Sequence, residues 1–120
     1  RQMCIRDSYR AESGTFYTVE TRIRFLSEVH AGAEIATASY LLGADTKRLH
    51  VHHDLLADQN PSPVATQEVM VLHVSQRGES GQPRVSPMCD PILTRALDLA
   101  EAHSSIPVPD HVGYGVRTLR

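Results

Sequence analysis

The stretch VATQEVMVLHV, residues 64–74, decides the fold. β-Branched and other apolar residues dominate it, and residues 69–72, VMVL, are apolar at every position. A strand that is apolar on both faces lies inside a sheet that is covered on both sides. We therefore predict a buried strand here, covered by a helix on one side and by more protein on the other.

The first strand upstream is predicted at residues 16–26. Its side chains alternate between an apolar set that includes Tyr17, Ile23 and Phe25 and a polar set that includes Glu20 and Arg22. Alternation with a period of two places the two sets on opposite sides of a strand. The pattern predicts a strand with one apolar face.

Two more strands lie between these segments. Residues 34–42 resume a β-compatible pattern after a turn, and we predict that this strand forms an antiparallel hairpin with the first. The turn chemistry of residues 43–46, GADT, leads to a third strand at residues 49–56. The polar face of this third strand carries His50 and His52.

Residues 91–103 carry the strongest helical pattern of the chain. Asp90 is the predicted N-cap, and Pro91 occupies the first helical position, where its missing N–H is not needed. The helix has an apolar stripe, which consists of Ile92, Leu93, Ala96, Leu97, Leu99 and Ala100. Four long strands and one short helix do not close a core, so the pattern implies a missing element.

The opening segment RQMCIRDS, residues 1–8, resembles a translated sequencing adapter. It has neither helical nor strand periodicity, and it lacks the apolar run of a signal peptide. We expect a non-native leader at residues 1–8. A chain of this length has room for one domain, which we place at residues 9–120.

The composition argues against two classes of partner. The 12 Lys and Arg residues and 14 Asp and Glu residues give a net charge of −2 with histidine neutral, without blocks of one sign. This balance gives no indication of nucleic acid binding. No apolar run approaches the ~20 residues that span a bilayer. We expect no membrane association and a cytoplasmic location.

Four segments resemble a known family. They are YTVETRIRFL at residues 17–26, LLGADTKRLHVHH at 41–53, ATQEVMVLHV at 65–74 and AHSSIPVPDHVG at 102–113. Together they are similar to the thioesterase-like domain of the 4-hydroxybenzoyl-CoA thioesterase superfamily, and they most resemble betainyl-CoA thioesterases. The similarity covers nearly all of the chain after the leader.

The resemblance implies an α+β protein with the hot-dog fold, in which a long antiparallel sheet wraps around a central helix. In that family the central helix and the first strand precede the segment at residues 17–26. We therefore expect residues 9–120 to form a partial hot-dog domain that lacks both elements and ends with the short helix at residues 91–103. The resemblance also implies a homodimer or homotetramer.

The function that the resemblance implies is hydrolysis of a short acyl-CoA. Betainyl-CoA is the expected substrate, with glycine betaine and coenzyme A as products. Coenzyme A is part of the substrate, and no cofactor is expected. Two alternatives stay open: the C-terminal domain of a bifunctional L-carnitine dehydrogenase, or a hot-dog domain that binds acyl-CoA or oligomerises without catalysis.

Thioester hydrolysis needs a base or carboxylate to activate water and donors to hold the oxyanion. In hot-dog thioesterases both come from the region of the central helix, so the resemblance implies a main carboxylate upstream and an inactive fragment. Glu20 is the best acidic candidate that remains, with a solvated or salt-bridged residue as the alternative. Glu68, inside the fourth strand, is a substrate-binding candidate, with pairing to an Arg across the sheet as the alternative.

The betainyl group and coenzyme A suggest further site residues. A quaternary ammonium is recognised by aromatic faces, which makes Tyr17 and Tyr40 substrate-binding candidates. Phosphates favour charge-assisted donors. The candidate coenzyme A ligands are Arg22, Arg24, Lys47 and Arg48. The alternatives are strand packing for the tyrosines and surface solvation for the cations.

The third strand carries three histidines, which raises the hypothesis of a metal site. Residues i and i+2 of a strand face the same side, so two of these rings can approach one ion. The three histidines are His50, His52 and His53. The sequence offers no further acidic or histidine ligand at a diagnostic spacing. The family that the chain resembles uses no metal, and we expect none here.

Overall fold

The computed structural model describes residues 14–75 and 83–119. The expected leader, residues 1–8, lies outside them. The described elements are β1 (Thr15–Phe25), β2 (Ile35–Ala44), β3 (Arg48–Ala57), β4 (Ala65–Ser75), β5 (Arg84–Val85) and α1 (Ile92–Ala102). The four long strands agree with their predicted bounds to within two residues. The predicted α+β architecture of an antiparallel sheet followed by a short helix is confirmed.

The long strands are arranged in the order β1-β4-β3-β2, and β5 pairs with the end of β4. Strand β4 therefore lies inside the sheet, as its apolar sequence predicts, and its Val69 and Met70 are buried. The predicted hairpin between the first two strands is wrong, because β1 pairs with β4 and β2 pairs with β3. Burial explains the difference. A meander in chain order would leave the doubly apolar β4 at an edge of the sheet.

The sheet has two faces, which we name the tail face and the groove face. Cross-strand partners share a face, so the register defines each set. The tail face carries Glu20, Arg22, Arg24, Glu68, His50, His52 and Tyr40. The groove face carries Ile23, Phe25, Gln67, His53 and Ser39. The C-terminal tail, residues 103–119, lies on the tail face, and α1 packs against β2.

A β-bulge in β1 changes the distribution of side chains between the faces. The register shifts between Thr18 and Glu20, which leaves Val19 as the extra residue. Tyr17 pairs with Leu72 and therefore shares the tail face with Glu20. Uninterrupted alternation would place these two side chains on opposite faces, and that prediction is wrong because the bulge resets the alternation.

Hydrophobicity alone does not predict which face of the sheet the C-terminal tail covers. On the groove face Ile23 is exposed and Phe25 is 85% exposed. On the tail face Arg22 is half-buried, and His50 and His52, which were predicted on a polar surface, are fully buried. Buried polar groups are stable only when they are hydrogen-bonded. The tail provides those partners.

Helix α1 begins one residue later than predicted, with Pro91 and not Asp90 at the N-cap position. The predicted apolar stripe is only partly covered. Ala96 is buried, whereas Leu97 and Leu99 are exposed. The predicted stripe is wider than the surface of the helix that packs against the sheet. The two leucines lie at the margins of the stripe, outside that surface.

Two glycines allow the tail to approach the sheet closely, Gly43 on β2 and Gly115 in the tail. A Cβ atom on Gly43 would lie 2.9 Å from the Cβ and 3.0 Å from the carbonyl carbon of Leu119. A Cβ atom on Gly115 would lie 3.0 Å from the Cδ of Arg22. A flexible side chain can shift to relieve such a contact, whereas packed backbone moves much less easily.

We expect Gly43→Ala to lower the free energy of unfolding by about 1–3 kcal/mol, as overpacking does. Gly115→Ala is the matched control, because Arg22 can move aside, and it should stay within about 1 kcal/mol of wild type. Urea unfolding measures both variants. Equal stability of Gly43→Ala and wild type would contradict the docking of the tail against β2.

Candidate functional site

A buried carboxylate and a buried imidazole form the centre of the tail face. His50 on β3 and Glu68 on β4 are both at most 1% exposed, and His50 Nε2 lies 2.7 Å from Glu68 Oε2. The backbone N–H of Leu119 donates to His50 Nδ1 at 3.4 Å. Because Nδ1 accepts, the proton of the neutral ring is on Nε2, from which it is donated to Glu68. The backbone N–H of Gly113 donates to the same carboxylate oxygen at 3.2 Å.

A second imidazole pair joins the sheet to the tail. His52 Nε2 lies 3.0 Å from His111 Nε2, so one ring donates and the other accepts. His52 Nδ1 is buried without a hydrogen-bond partner among the described residues, and its nearest carboxylate oxygen, on Asp54, is 3.7 Å away. Protonation of both rings would remove the acceptor and place two cations in contact.

Burial lowers the pKa of both histidines. For His52 this desolvation outweighs the carboxylate of Asp54, which acts in the opposite direction on the pKa. For His111 desolvation is again the largest cause, and the guanidinium of Arg24 lowers the pKa further. The pair is therefore held in its uncharged state at neutral pH.

A pocket of about 520 Å³ opens beside this pair on the tail face. It is lined by Arg22, Arg24, Asp110, His111 and Tyr114. Arg22 Nη1 donates to the backbone carbonyl of His111 at 2.8 Å, which holds one wall of the pocket in place. Two guanidinium groups in one pocket make it suited to an anionic group such as a phosphate.

A second cavity, also of about 520 Å³, lies on the groove face. All four long strands contribute to it, including Ile23, Phe25, Ser39, His53, Leu55 and Gln67. Across its floor Ser39 Oγ lies 2.6 Å from His53 Nδ1, between residues that are direct partners in the β2–β3 register. The cavity therefore combines an apolar lining with one hydrogen-bonded imidazole.

The structure brings most of the predicted site residues to the tail face. Arg22 and Arg24 meet in the pocket, whereas Glu68 is enclosed below it. The Tyr40 ring lies 5.0 Å from that of His52 and 6.5 Å from that of His103, measured between centroids. Their roles as substrate ligands stay predictions.

The other predicted site residues lie apart from the pocket. Glu20 Oε1 accepts a hydrogen bond from the backbone N–H of Arg117 at 3.2 Å. Lys47 and Arg48 lie at the β2–β3 turn, where the carboxylate of Asp45 binds the backbone of both and the guanidinium of Arg48 at 2.7 Å. Burial alone would raise the pKa of Asp45, but these hydrogen bonds lower it overall.

Sequence patterns did not identify His111 or the Ser39–His53 contact. His111 lies in an irregular tail and meets His52 across 59 residues of chain, a separation that no local periodicity encodes. Ser39 and His53 meet through strand register, which follows once β2 and β3 are paired. If the pairing and register of β2 and β3 were known, the contact between Ser39 and His53 would follow from the sequence.

Within residues 14–75 and 83–119, no three His, Cys, Asp or Glu side chains are grouped to hold a metal ion. No helix in that part of the chain is long and apolar enough to cross a membrane.

Comparison with known proteins gives a consistent result. The family model of the Thioesterase-like superfamily matches residues 2–114. The L-carnitine dehydrogenase/betainyl-CoA thioesterase of Agrobacterium fabrum is 46% identical over 112 residues, which cover 93% of this chain and 22% of that protein. The betainyl-CoA thioesterase of Pseudomonas aeruginosa is 42% identical over 103 residues, covering 86% of this chain and 62% of that protein. The chain thus spans less than two thirds of the length of either relative.

A solved structure has a similar backbone. It is a thioesterase candidate from Pseudomonas putida KT2440, with a TM-score of 0.72 and 28% sequence identity. The similarity covers 99% of this chain and 73% of that one.

Acidification is expected to destabilise the contact between sheet and tail. Because burial lowers the pKa of His52 and His111 below the ordinary value of 6.5, the unfolded chain binds protons at a higher pH than the folded chain. The free energy of unfolding is therefore fully maintained above that value and falls as the pH decreases below it. Urea unfolding across about pH 8 to 5 measures the change.

His111→Asn should reduce this pH dependence, because it removes one of the two titrating rings while it keeps a hydrogen-bonding side chain. The exposed His30 provides the control, and His30→Asn should retain the wild-type profile. A wild-type stability that stays constant or rises towards pH 5 would contradict the expected direction.

Proposed function

Since the chain belongs to the Thioesterase-like superfamily, we propose that it hydrolyses a short acyl-CoA, betainyl-CoA, to glycine betaine and coenzyme A. One observation carries the proposal. Two relatives with betainyl-CoA thioesterase in their names are 46% and 42% identical to this chain over most of its length. The reaction needs a recognised acyl group, bound phosphates and an activated water.

The pocket of Arg22 and Arg24 supports phosphate binding. Its two guanidinium groups can form charge-assisted hydrogen bonds with phosphate oxygens, and Arg22 is already oriented by the carbonyl of His111. Lys47 and Arg48 are the weaker candidates, because Arg48 is engaged by Asp45. We assign the phosphates of coenzyme A to the arginine pocket.

The environment of Tyr40 supports recognition of a cationic acyl group. Aromatic rings attract a quaternary ammonium through their faces, and Tyr40 lies within a cluster of rings with His52 and His103. The Glu68 carboxylate on the same face adds negative potential. Tyr17, placed on this face by the bulge, is the second aromatic candidate.

Glu20 remains the weak candidate for the catalytic carboxylate. Its carboxylate accepts a hydrogen bond from the tail backbone, which favours an anchoring role over proton transfer. The main carboxylate is expected upstream of this chain, as the family resemblance implies. The catalytic assignment therefore belongs to the whole protein.

A second candidate function is that of a thioesterase domain within a larger, bifunctional protein. The Agrobacterium fabrum relative has L-carnitine dehydrogenase in its name, and this chain spans 22% of it. This relative supports a domain of a bifunctional protein as the alternative, whereas the Pseudomonas aeruginosa relative, of which the chain spans 62%, supports a separate enzyme. We propose that the reaction belongs to carnitine metabolism, and the name of the Agrobacterium fabrum relative supports this. We further propose a cytoplasmic homodimer or homotetramer, because β1 and β2 are the edges of the described sheet and offer strands for pairing.

The test measures thiol release by the complete protein encoded by the gene that contains this chain. Betainyl-CoA, acetyl-CoA and a long-chain acyl-CoA are compared at equal concentration. We expect kcat/KM for betainyl-CoA to exceed the other two by about tenfold or more, because the ammonium contacts are available only to that substrate.

Two results would count against the proposal. Equal rates for betainyl-CoA and acetyl-CoA would remove the substrate assignment and leave a general short-chain thioesterase. Absence of thiol release from all three substrates, with folding verified by circular dichroism, would favour an acyl-CoA-binding domain without catalysis.

A further inference from the structure

The charge of the arginine pocket differs from that of a phosphate monoester. Arg22 and Arg24 contribute two positive charges and Asp110 one negative charge, which leaves a charge of +1 when His111 is neutral. A phosphate monoester carries a charge of about −1.5 to −2 at pH 7. One additional proton on the pocket lining would bring its charge close to that of the ligand. Of the lining residues, His111 is the one whose side chain titrates near neutral pH.

The buried surroundings of His52 determine where the protons of the imidazole pair lie. His52 Nδ1 is buried, has no hydrogen-bond partner among the described residues and lies 3.7 Å from a carboxylate oxygen of Asp54. A lone pair on this nitrogen is repelled by the carboxylate, whereas an N–H is attracted to it. The proton of the neutral His52 ring is therefore on Nδ1. Its Nε2 accepts a hydrogen bond from His111 Nε2 across the 3.0 Å contact.

His111 consequently offers an unprotonated nitrogen to a ligand. Because its Nε2 holds the proton of the neutral ring and is engaged by His52, Nδ1 carries a lone pair and is the ring nitrogen left for a ligand. The ring is half-buried and lines the pocket. A lone pair repels phosphate oxygens, whereas a protonated Nδ1 donates a charge-assisted hydrogen bond to them. A phosphate bound beside this ring therefore favours its protonation.

We propose that His111 joins Arg22 and Arg24 as a ligand of the phosphate monoester of coenzyme A and takes up one proton when that phosphate binds. This inference rests on the proposed function, which assigns the phosphates of coenzyme A to the arginine pocket. The proton passes from solvent to Nδ1 of His111, while Nε2–H continues to donate to His52. The pair then carries a single positive charge and keeps its hydrogen bond.

The groups around the ring make its protonation depend on the ligand. Burial holds the pKa of His111 below 6.5 in the free pocket, with the guanidinium groups lowering it further and two carboxylates acting in the opposite direction. A phosphate dianion in contact with the ring raises that pKa. By linkage, affinity for the phosphate therefore rises as the pH falls. The titratable and charged groups around the ring are Arg22 and Arg24 on β1, His52 and Asp54 on β3, Glu68 on β4, and Asp110 and Tyr114 in the tail.

The test is a calorimetric titration of the complete protein with coenzyme A and with 3′-dephospho-coenzyme A, which lacks the phosphate monoester. Buffers with different heats of ionisation give the number of protons taken up. We expect wild type to take up about one proton with coenzyme A near pH 7 and none with the dephospho compound. Its affinity for coenzyme A should rise from about pH 8 to 6.5, by at most about tenfold per pH unit, the limit for one proton.

Variants identify the group that takes up the proton. His111→Asn should take up no proton and should bind coenzyme A about tenfold or more weakly near pH 6.5, because a charge-assisted hydrogen bond is lost. Its affinity for the dephospho compound should change little. Titration of the ligand itself is the same for every variant. Arg24→Gln should weaken coenzyme A binding and retain proton uptake, and His30→Asn, an exposed histidine outside the pocket, should behave as wild type.

The outcomes separate this inference from the function on which it rests. Coenzyme A binding by wild type without proton uptake overturns the inference, and so does an uptake that His111→Asn retains. Either result is compatible with thiol release from betainyl-CoA and leaves the thioesterase function in place. Proton uptake that depends on His111, in a protein that releases no thiol, supports the phosphate site and overturns the hydrolysis. A folded wild-type protein that does not bind coenzyme A overturns both.

Discussion

The buried pair of Glu68 and His50 is the interaction on which the described structure depends. A carboxylate removed from water is unfavourable unless hydrogen bonds replace the lost solvation. Glu68 receives one from His50 on the neighbouring strand and one from the backbone of Gly113 in the tail. His50 in turn accepts from the backbone of Leu119. Two interior strands and the irregular tail are thus joined through one side-chain pair.

This arrangement explains why β2 needs a glycine where the tail docks and why the tail can be irregular. Backbone groups of the tail are satisfied by strand side chains instead of by a ladder of their own. Close approach of this kind leaves no room for a side chain at Gly43. The same tail completes the arginine pocket, because Asp110, His111 and Tyr114 form one side of it. Anchoring of the tail and formation of the pocket are therefore coupled.

Much of the fold was predictable from local pattern. Alternation located the four long strands, and the doubly apolar segment identified β4 as an interior strand. The family match and the likeness to the Pseudomonas putida structure confirm the predicted hot-dog fold. The central helix and first strand expected ahead of the chain stay a prediction. Pairing partners were not predictable, because periodicity specifies faces and not neighbours, and the bulge at Val19 then reversed the face of Tyr17.

The site was less predictable than the fold. Residue chemistry identified Arg22 and Arg24 as potential phosphate ligands, and the structure places both in one pocket. It did not identify His111, because contacts between the tail and the sheet span long sequence separations. For His53 the sequence pattern suggested only the role of a metal ligand. Its contact with Ser39 arises from the β2–β3 register, which the pattern does not specify. Residue type suggests which chemistry is available, whereas three-dimensional placement decides which groups meet.

Hydrogen exchange at the backbone amides of Gly113 and Leu119 is the most direct test of this account. If Glu68 and His50 anchor the tail, both amides should be protected relative to an unstructured peptide, and Gly113 should approach the protection of the β3 and β4 amides. Exchange of both amides at the rate of an unstructured peptide, with β3 and β4 protected, would contradict the anchoring of the tail by the buried pair.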